Sequence, residues 1–286
     1  MSHGPLAGHE NVLNILGYGW NFRGSGSIPF LVTEFASSGT LRDYLRSYRL
    51  PSRDRLLMCV NVARGLHELH LCGMAHGDLK LDNVLVTSRT SAQSGPQELS
   101  SQSVVAKISD FGHSLLLYED DEAKDDQKYG GTLAYNAPEI VRNHGQDYKK
   151  LNFRKCDVWA LGLPCWEALE NGSPYYKSAR IQNLIAFTKT DSRSTSDHSA
   201  DASKGSTSTS KRTASTTESI LGSLSMLSDR LQEVVMDFLD SETVGDLYSF
   251  EKGKLRMLFR ATLDVDPDQR VADIPMLPLL LKNKYV

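Results

Sequence analysis

The 286-residue chain is 40% hydrophobic and 23% charged, with a formal net charge of −3. That length fits one large domain or two small ones, and the apolar fraction is enough for a packed core. There is no bulk basic field to suggest nucleic acid or an anionic membrane, and no uncharged apolar run approaches the roughly 18 residues of a membrane-spanning helix.

The opening MSHGPLAGHENV lacks a basic stretch followed by an apolar one, so no secretory signal is expected. Cys59, Cys72, Cys156 and Cys165 show no CxxC spacing and read as free buried thiols. An intracellular, cytoplasmic location is the expectation. Gly17-Tyr18-Gly19 and Gly24-Ser25-Gly26 read as a flexible turn between two strands. IPFLVTEF (28–35) is a strand candidate, β-rich and bounded by Gly and Ser. A helix is predicted over 52–70, where Leu56, Val60, Ala63, Leu66 and Leu69 recur at three- and four-residue steps. Two short strands, 83–87 and 104–109, flank a polar loop over about 87–103. The strongly apolar 157–172 reads as a helix stopped by Asn171-Gly172. Residues 188–219 hold alanine as their only aliphatic side chain, so they read as a disordered insertion. Leu224, Leu227, Leu231, Val234 and Phe238 form a helical stripe, and the last quarter is mainly helical with Pro267, Pro275 and Pro278 as breakers.

The strongest signal is a series of motifs in fixed order. His76-Gly77-Asp78-Leu79-Lys80-Leu81-Asp82-Asn83 is followed by Asp110-Phe111-Gly112 and Ala137-Pro138-Glu139. Gly131-Thr132-x-x-Tyr135, Asp157-Val158-Trp159-x-x-Gly162, Gly172-Ser173-Pro174-Tyr175 and Asp266-Pro267-x-x-Arg270 complete it. Any triplet alone arises by chance; their joint order and spacing do not. On these residues the chain resembles the eukaryotic-type protein kinase family, serine/threonine type. The implied fold is α+β, with a helix-rich C-terminal lobe (37–286) and a partial N-terminal lobe and hinge (1–36) built on a two-strand remnant.

The resemblance implies ATP and Mg²⁺ as cofactors and a Ser/Thr protein as substrate. Phosphoryl transfer needs positioning and charge neutralisation more than covalent help. Asp78 would accept the proton of the attacking hydroxyl, Lys80 would offset γ-phosphate charge, and Thr132 would bond toward both. Asn83 and Asp110 would be hard oxygen ligands for the metal. Thr33 would stand beside the adenine, the backbones of Glu34 and Ala36 would bond its edge, and Leu85 would lie under the ring. His76, Phe111 and Gly112 would be structural; Asp157 would hold the catalytic-loop backbone, and Glu139 would pair with Arg270.

The sequence departs from the family's pattern in two ways. No lysine precedes Lys80, and Glu10 is the only acid before Glu34, so the strand lysine and helix acid that hold the ATP phosphates are not in their usual place. This implies a truncated small lobe and weak turnover by the chain alone; a kinase-like binding scaffold is the alternative. Gly77 stands where the family usually has arginine, and the stretch from Leu115 to Gly131 holds Tyr118 and Tyr129 as its only hydroxyl side chains. Regulation without a loop phosphoserine or phosphothreonine is therefore expected. The acidic run Glu119, Asp120, Asp121, Glu122, Asp125 and Asp126 reads as a solvated loop or as permanent charge favouring basic peptides.

Overall fold

Strands β1 (Ile15–Arg23) and β2 (Gly26–Thr33) open a computed structural model that describes residues 6, 8–23, 26–88, 104–117, 129–143, 151–183 and 230–271. They pair antiparallel, Tyr18 opposite Leu31 and Trp20 opposite Pro29. The sequence reading placed Gly17-Tyr18-Gly19 in a turn; the structure places them inside β1. The reason is packing across the hairpin: the Phe30 ring lies over Gly19, and a β-carbon there would come to 2.5 Å from it. All of β2 is exposed, and Tyr18, Phe22 and Phe35 are 81%, 77% and 87% exposed.

Helix α1 (Leu41–Ser47) follows, started by Thr40, whose side chain accepts from the Asp43 amide. Helix α2 (Ser52–Leu71) runs where the apolar steps predict it. Its Leu56, Val60, Ala63, Leu66 and Leu69 are all buried. Replacing one such leucine, Leu66→Ala, would cost about 2–5 kcal/mol through lost burial and the cavity left.

Strands β3 (Met74–Ala75) and β6 (Leu115–Leu116) pair antiparallel, as do β4 (Val84–Ser88) and β5 (Val104–Ile108). The chain at Asn11–Leu13 adds alongside β5: Ile108 N–H donates to Asn11 O and Leu13 N–H to Ile108 O. Helix α3 (Pro138–Asn143) precedes α4 (Phe153–Leu169), capped by Asn152, whose side chain accepts from the Lys155 amide. Nearly every α4 residue is buried, as expected of a helix apolar all round. It packs against α2 at the centre of the core. The predicted stop holds, because Asn171 and Gly172 take positive φ (55° and 76°) and turn the chain.

Helical residues 179–183, α5 (Leu231–Leu239) and α6 (Ser249–Thr262) close the described chain. Leu231, Val235, Phe238 and Leu239 of α5 are buried. The mixed α and β content matches the expected fold class. Several expectations lie outside the described residues: the insertion at 188–219, most of the loop at 87–103, Leu224 and Leu227, the acidic run at 119–126, Tyr118, and the breakers Pro275 and Pro278. No described helix is long and apolar enough to cross a membrane. All four cysteines are free thiols.

Candidate active site

The loop from His76 to Asn83 links β3 to β4 and is anchored from below by Asp157 on α4. Asp157 is fully buried. Its Oδ2 accepts from His76 N–H at 2.6 Å and its Oδ1 from Gly77 N–H at 3.0 Å. His70 Nε2 lies 2.9 Å from Oδ2. A buried carboxylate in this apolar helix is tolerable only because its oxygens are paired. The His76 ring fixes the next step. Its Nδ1 accepts from Asp78 N–H at 3.2 Å, so its Nε2 carries the proton toward Ser109 O at 3.0 Å. The ring also meets Phe111 edge-on, with centroids 6.0 Å apart.

Three sequence-predicted residues, Lys80, Asn83 and Thr132, converge on the Asp78 carboxylate. Lys80 Nζ donates to Asp78 Oδ2 at 2.7 Å and to Thr132 Oγ1 at 2.6 Å. Asn83 Nδ2 donates to Asp78 Oδ2 at 2.9 Å and to Asp78 O at 2.8 Å. The Thr132 amide donates to Asp78 Oδ1 at 2.7 Å. Burial pushes the Asp78 carboxyl up, but the bonds from Lys80, Thr132 and Asn83 outweigh it and hold it below the ordinary carboxylate value. It is therefore an ionised, oriented acceptor at neutral pH.

Asp110 is reached through its neighbour. Ser109, one residue before it, donates to Asn83 O from both its amide and its hydroxyl, each at 2.9 Å. Asp110 takes a left-handed backbone (φ 60°), and its carboxylate accepts from Gly112 N–H at 3.3 Å. Among the described residues no group of three or more His, Cys, Asp or Glu side chains could hold a metal ion. The donor set nevertheless fits magnesium. Asn83 turns its amide nitrogen to Asp78, which leaves its oxygen facing away, and the Asp110 carboxylate is exposed. Mg²⁺ commonly takes one or two protein oxygens and completes its shell from phosphate and water.

The hinge residues lie on a separate element. Thr33 ends β2 and is exposed; Glu34 and Ala36 are half-buried. Glu34 N–H donates to Asn14 O at 3.0 Å, and its carboxylate takes Asn14 N–H at 2.7 Å and Lys107 Nζ at 2.8 Å. Ser38 N–H donates to Val86 O and Val86 N–H to Gly39 O, which fastens this segment to β4 beside Leu85.

Glu139 and Arg270 meet in a two-pronged pair, Nη1–Oε1 at 2.6 Å and Nη2–Oε2 at 2.9 Å. The Arg270 side chain is fully buried and stacks over Trp159 at 5.1 Å. Tyr129 is buried too, with its hydroxyl 3.5 Å from Asp157 Oδ1. Burial, then the Asp157 charge, pushes its hydroxyl well up, so it stays neutral.

The sequence reading passed over Arg42 and Glu167. Buried Arg42 donates to Asp82, Tyr135, Glu167 and Gly172 O, all within 3.0 Å. One signal was available: Glu167 is an acid inside a strongly apolar helical run, and such an acid must find a buried partner.

A profile described as protein tyrosine and serine/threonine kinase matches residues 5–204. Serine/threonine-protein kinase LMTK3 of Mus musculus is 32% identical over 63% of this chain and 12% of its own length. Mitogen-activated protein kinase kinase kinase 13-A of Xenopus laevis is 35% identical over 51% of this chain and 13% of its own. Serine/threonine/tyrosine-protein kinase HT1 of Arabidopsis thaliana is 29% identical over 57% of this chain and 37% of its own. The matches thus span well under two thirds of these relatives.

Proposed function

Because the chain belongs to the protein tyrosine and serine/threonine kinase family, we propose that it transfers the γ-phosphoryl group of ATP to a serine or threonine hydroxyl of a protein. The observation that carries this reading is the Asp78 carboxylate gripped by Lys80, Asn83 and Thr132. The substrate oxygen attacks the γ-phosphorus, the bond to the β-phosphate oxygen breaks, and ADP leaves. Asp78 takes the hydroxyl proton as the new bond forms. Lys80, already beside Asp78, offsets charge on the transferred group. Asn83 and Asp110 would hold Mg²⁺, which would neutralise phosphate charge when bound. The Glu34 carbonyl and the Ala36 amide would bond the adenine edge, with Thr33 beside the ring and Leu85 beneath it.

One observation favours a second reading, a kinase-like binding scaffold: the apolar side chains of the β1–β2 hairpin are open to solvent.

The test is a Mg-ATP titration read by melting temperature, with phosphotransfer to Ser, Thr and Tyr peptides alongside. Ligand at 100 times its dissociation constant stabilises by about 2.7 kcal/mol. Transfer to Ser or Thr that disappears in Asp78→Asn supports the enzyme. Neither transfer nor stabilisation at any attainable concentration supports the scaffold. Transfer to Tyr alone overturns the proposed specificity.

A further inference from the structure

Asp78 is held from two sides by two different stretches of chain. One oxygen takes the Asn83 side chain at 2.9 Å, and the other takes the Thr132 amide at 2.7 Å. The orientation of the carboxylate therefore depends on the spacing between those stretches. Asn83 closes the short 3-10 turn Leu81–Asn83, and Thr132 caps the 3-10 turn Leu133–Tyr135. Neither turn is long enough to hold its own place by backbone bonds alone.

One side chain spans both. Arg42, on α1, is buried, and its hydrogen bonds go to Asp82, Gly172, Tyr135 and Glu167, not to Asp78. Its Nε reaches Asp82, the residue before Asn83, at 2.9 Å and 3.0 Å. Its Nη2 reaches Tyr135 Oη, in the turn after Thr132, at 2.9 Å. The same Nη2 meets Glu167 Oε2 on α4 at 2.9 Å, and Nη1 meets Gly172 O at 2.9 Å. Glu167 completes the ring by accepting from Tyr135 Oη at 2.8 Å and from the Tyr175 amide at 3.0 Å. A planar guanidinium with five N–H donors in a fixed fork suits this work; an ammonium could not keep these angles at once.

Resting on the phosphotransfer reading, we propose that Arg42 is a positioning residue that sets the distance between the two grips on Asp78. It ties the Asn83 turn and the Thr132 turn to the rigid α4, so the carboxylate presents one fixed face to the attacking hydroxyl. No contact between Arg42 and the reacting atoms is involved.

The test measures amide hydrogen exchange site by site in the full chain, with Arg42→Lys compared to wild type. The Asn83 amide, bonded to Lys80 O, and the Thr132 amide report on the two turns; the α6 amides at Leu255–Phe259 are the reference. Loss of charge-assisted bonds should speed both reporters by about tenfold or more, with α6 unchanged. Unchanged reporters overturn the proposal, and so does a uniform rise across α6, which would mark a merely structural role. Should Arg42→Lys fail to fold, Asp82→Asn and Tyr135→Phe each remove one arm. Asp82→Asn should then speed Asn83 alone, and Tyr135→Phe Thr132 alone; any other pattern overturns the assignment. A kinetic arm keeps the two readings apart. In Arg42→Lys, kcat should fall about tenfold or more with KM for ATP little changed. A wild type that transfers no phosphate would sink the phosphotransfer reading and leave the exchange result standing on its own.

Discussion

A β-carbon on Gly77 would lie 2.3 Å from the carbonyl oxygen of His113. The His76–Asn83 loop and the segment after Phe111 touch here through backbone, and Gly77 turns through a left-handed φ of 79°. The absence of a side chain at Gly77 is thus a steric matter. Any side chain would meet both the dihedral penalty, about 1–2 kcal/mol, and a backbone atom that cannot swing aside. Gly77→Ala and Gly77→Arg should each lower the urea midpoint by more than the dihedral term alone, with an unchanged denaturant slope. An arginine variant as stable as wild type would mean that the close approach is not there.

The legible parts of the molecule were those whose signal is local or carried by spacing. Helix α2 could be read because five apolar residues share one face, and Asp78, Lys80, Asn83 and Asp110 because their motifs keep fixed intervals. Arg42 offered neither kind of signal. It is one of two arginines in a seven-residue helix, and its partners Asp82, Tyr135, Glu167 and Gly172 lie 40, 93, 125 and 130 positions away. The glycines of β1 misled for a related reason: Gly19 looks like a turn residue until Phe30 is placed across the strand pair. Local composition cannot announce a partner supplied by another strand.

Asp157 accepts from two backbone amides of the loop, those of His76 and Gly77. Asp157→Ala would strand both in the core, at about 1–3 kcal/mol for each buried donor. The expected loss by urea denaturation is about 3–5 kcal/mol, the range for breaking a buried charged contact one-sidedly. Exchange at the His76 and Gly77 amides should quicken before that of the α4 amides. If the loss stays under about 1 kcal/mol, water or another group satisfies those amides.

The Glu139–Arg270 pair invites a double-mutant cycle, since both prongs are short and Arg270 is fully buried on its side chain. Arg270→Met alone leaves the Glu139 carboxylate facing a vacated site, and Glu139→Met leaves the guanidinium unpaired. Each should cost about 3–5 kcal/mol. The double replacement should cost less than the sum by about 0.5–3 kcal/mol. Additivity within error would show that the two charges do not sense one another, and that Arg270 is held by its bonds to Asp264 O and Lys155 O instead.

The state of Asp78 makes the sharpest forecast, because opposing effects meet on one group. Burial raises its carboxyl, and Lys80, Thr132 and Asn83 lower it by more, so its folded value lies below its unfolded one, about 3.9. A depressed acid stabilises the fold above its unfolded value, and that contribution fades as pH falls through the lower folded value. The stability gap between wild type and Asp78→Asn should therefore be flat from neutral pH down to about 5 and narrow below about 4. Lys80→Met removes both a bond at 2.7 Å and its positive charge, while leaving burial in place. The Asp78 carboxyl must then rise, and the acid limb of kcat, or of the stability curve where turnover is too slow to follow, must move to higher pH. An acid limb that Lys80→Met leaves where it was would mean that Lys80 is not what keeps Asp78 ionised.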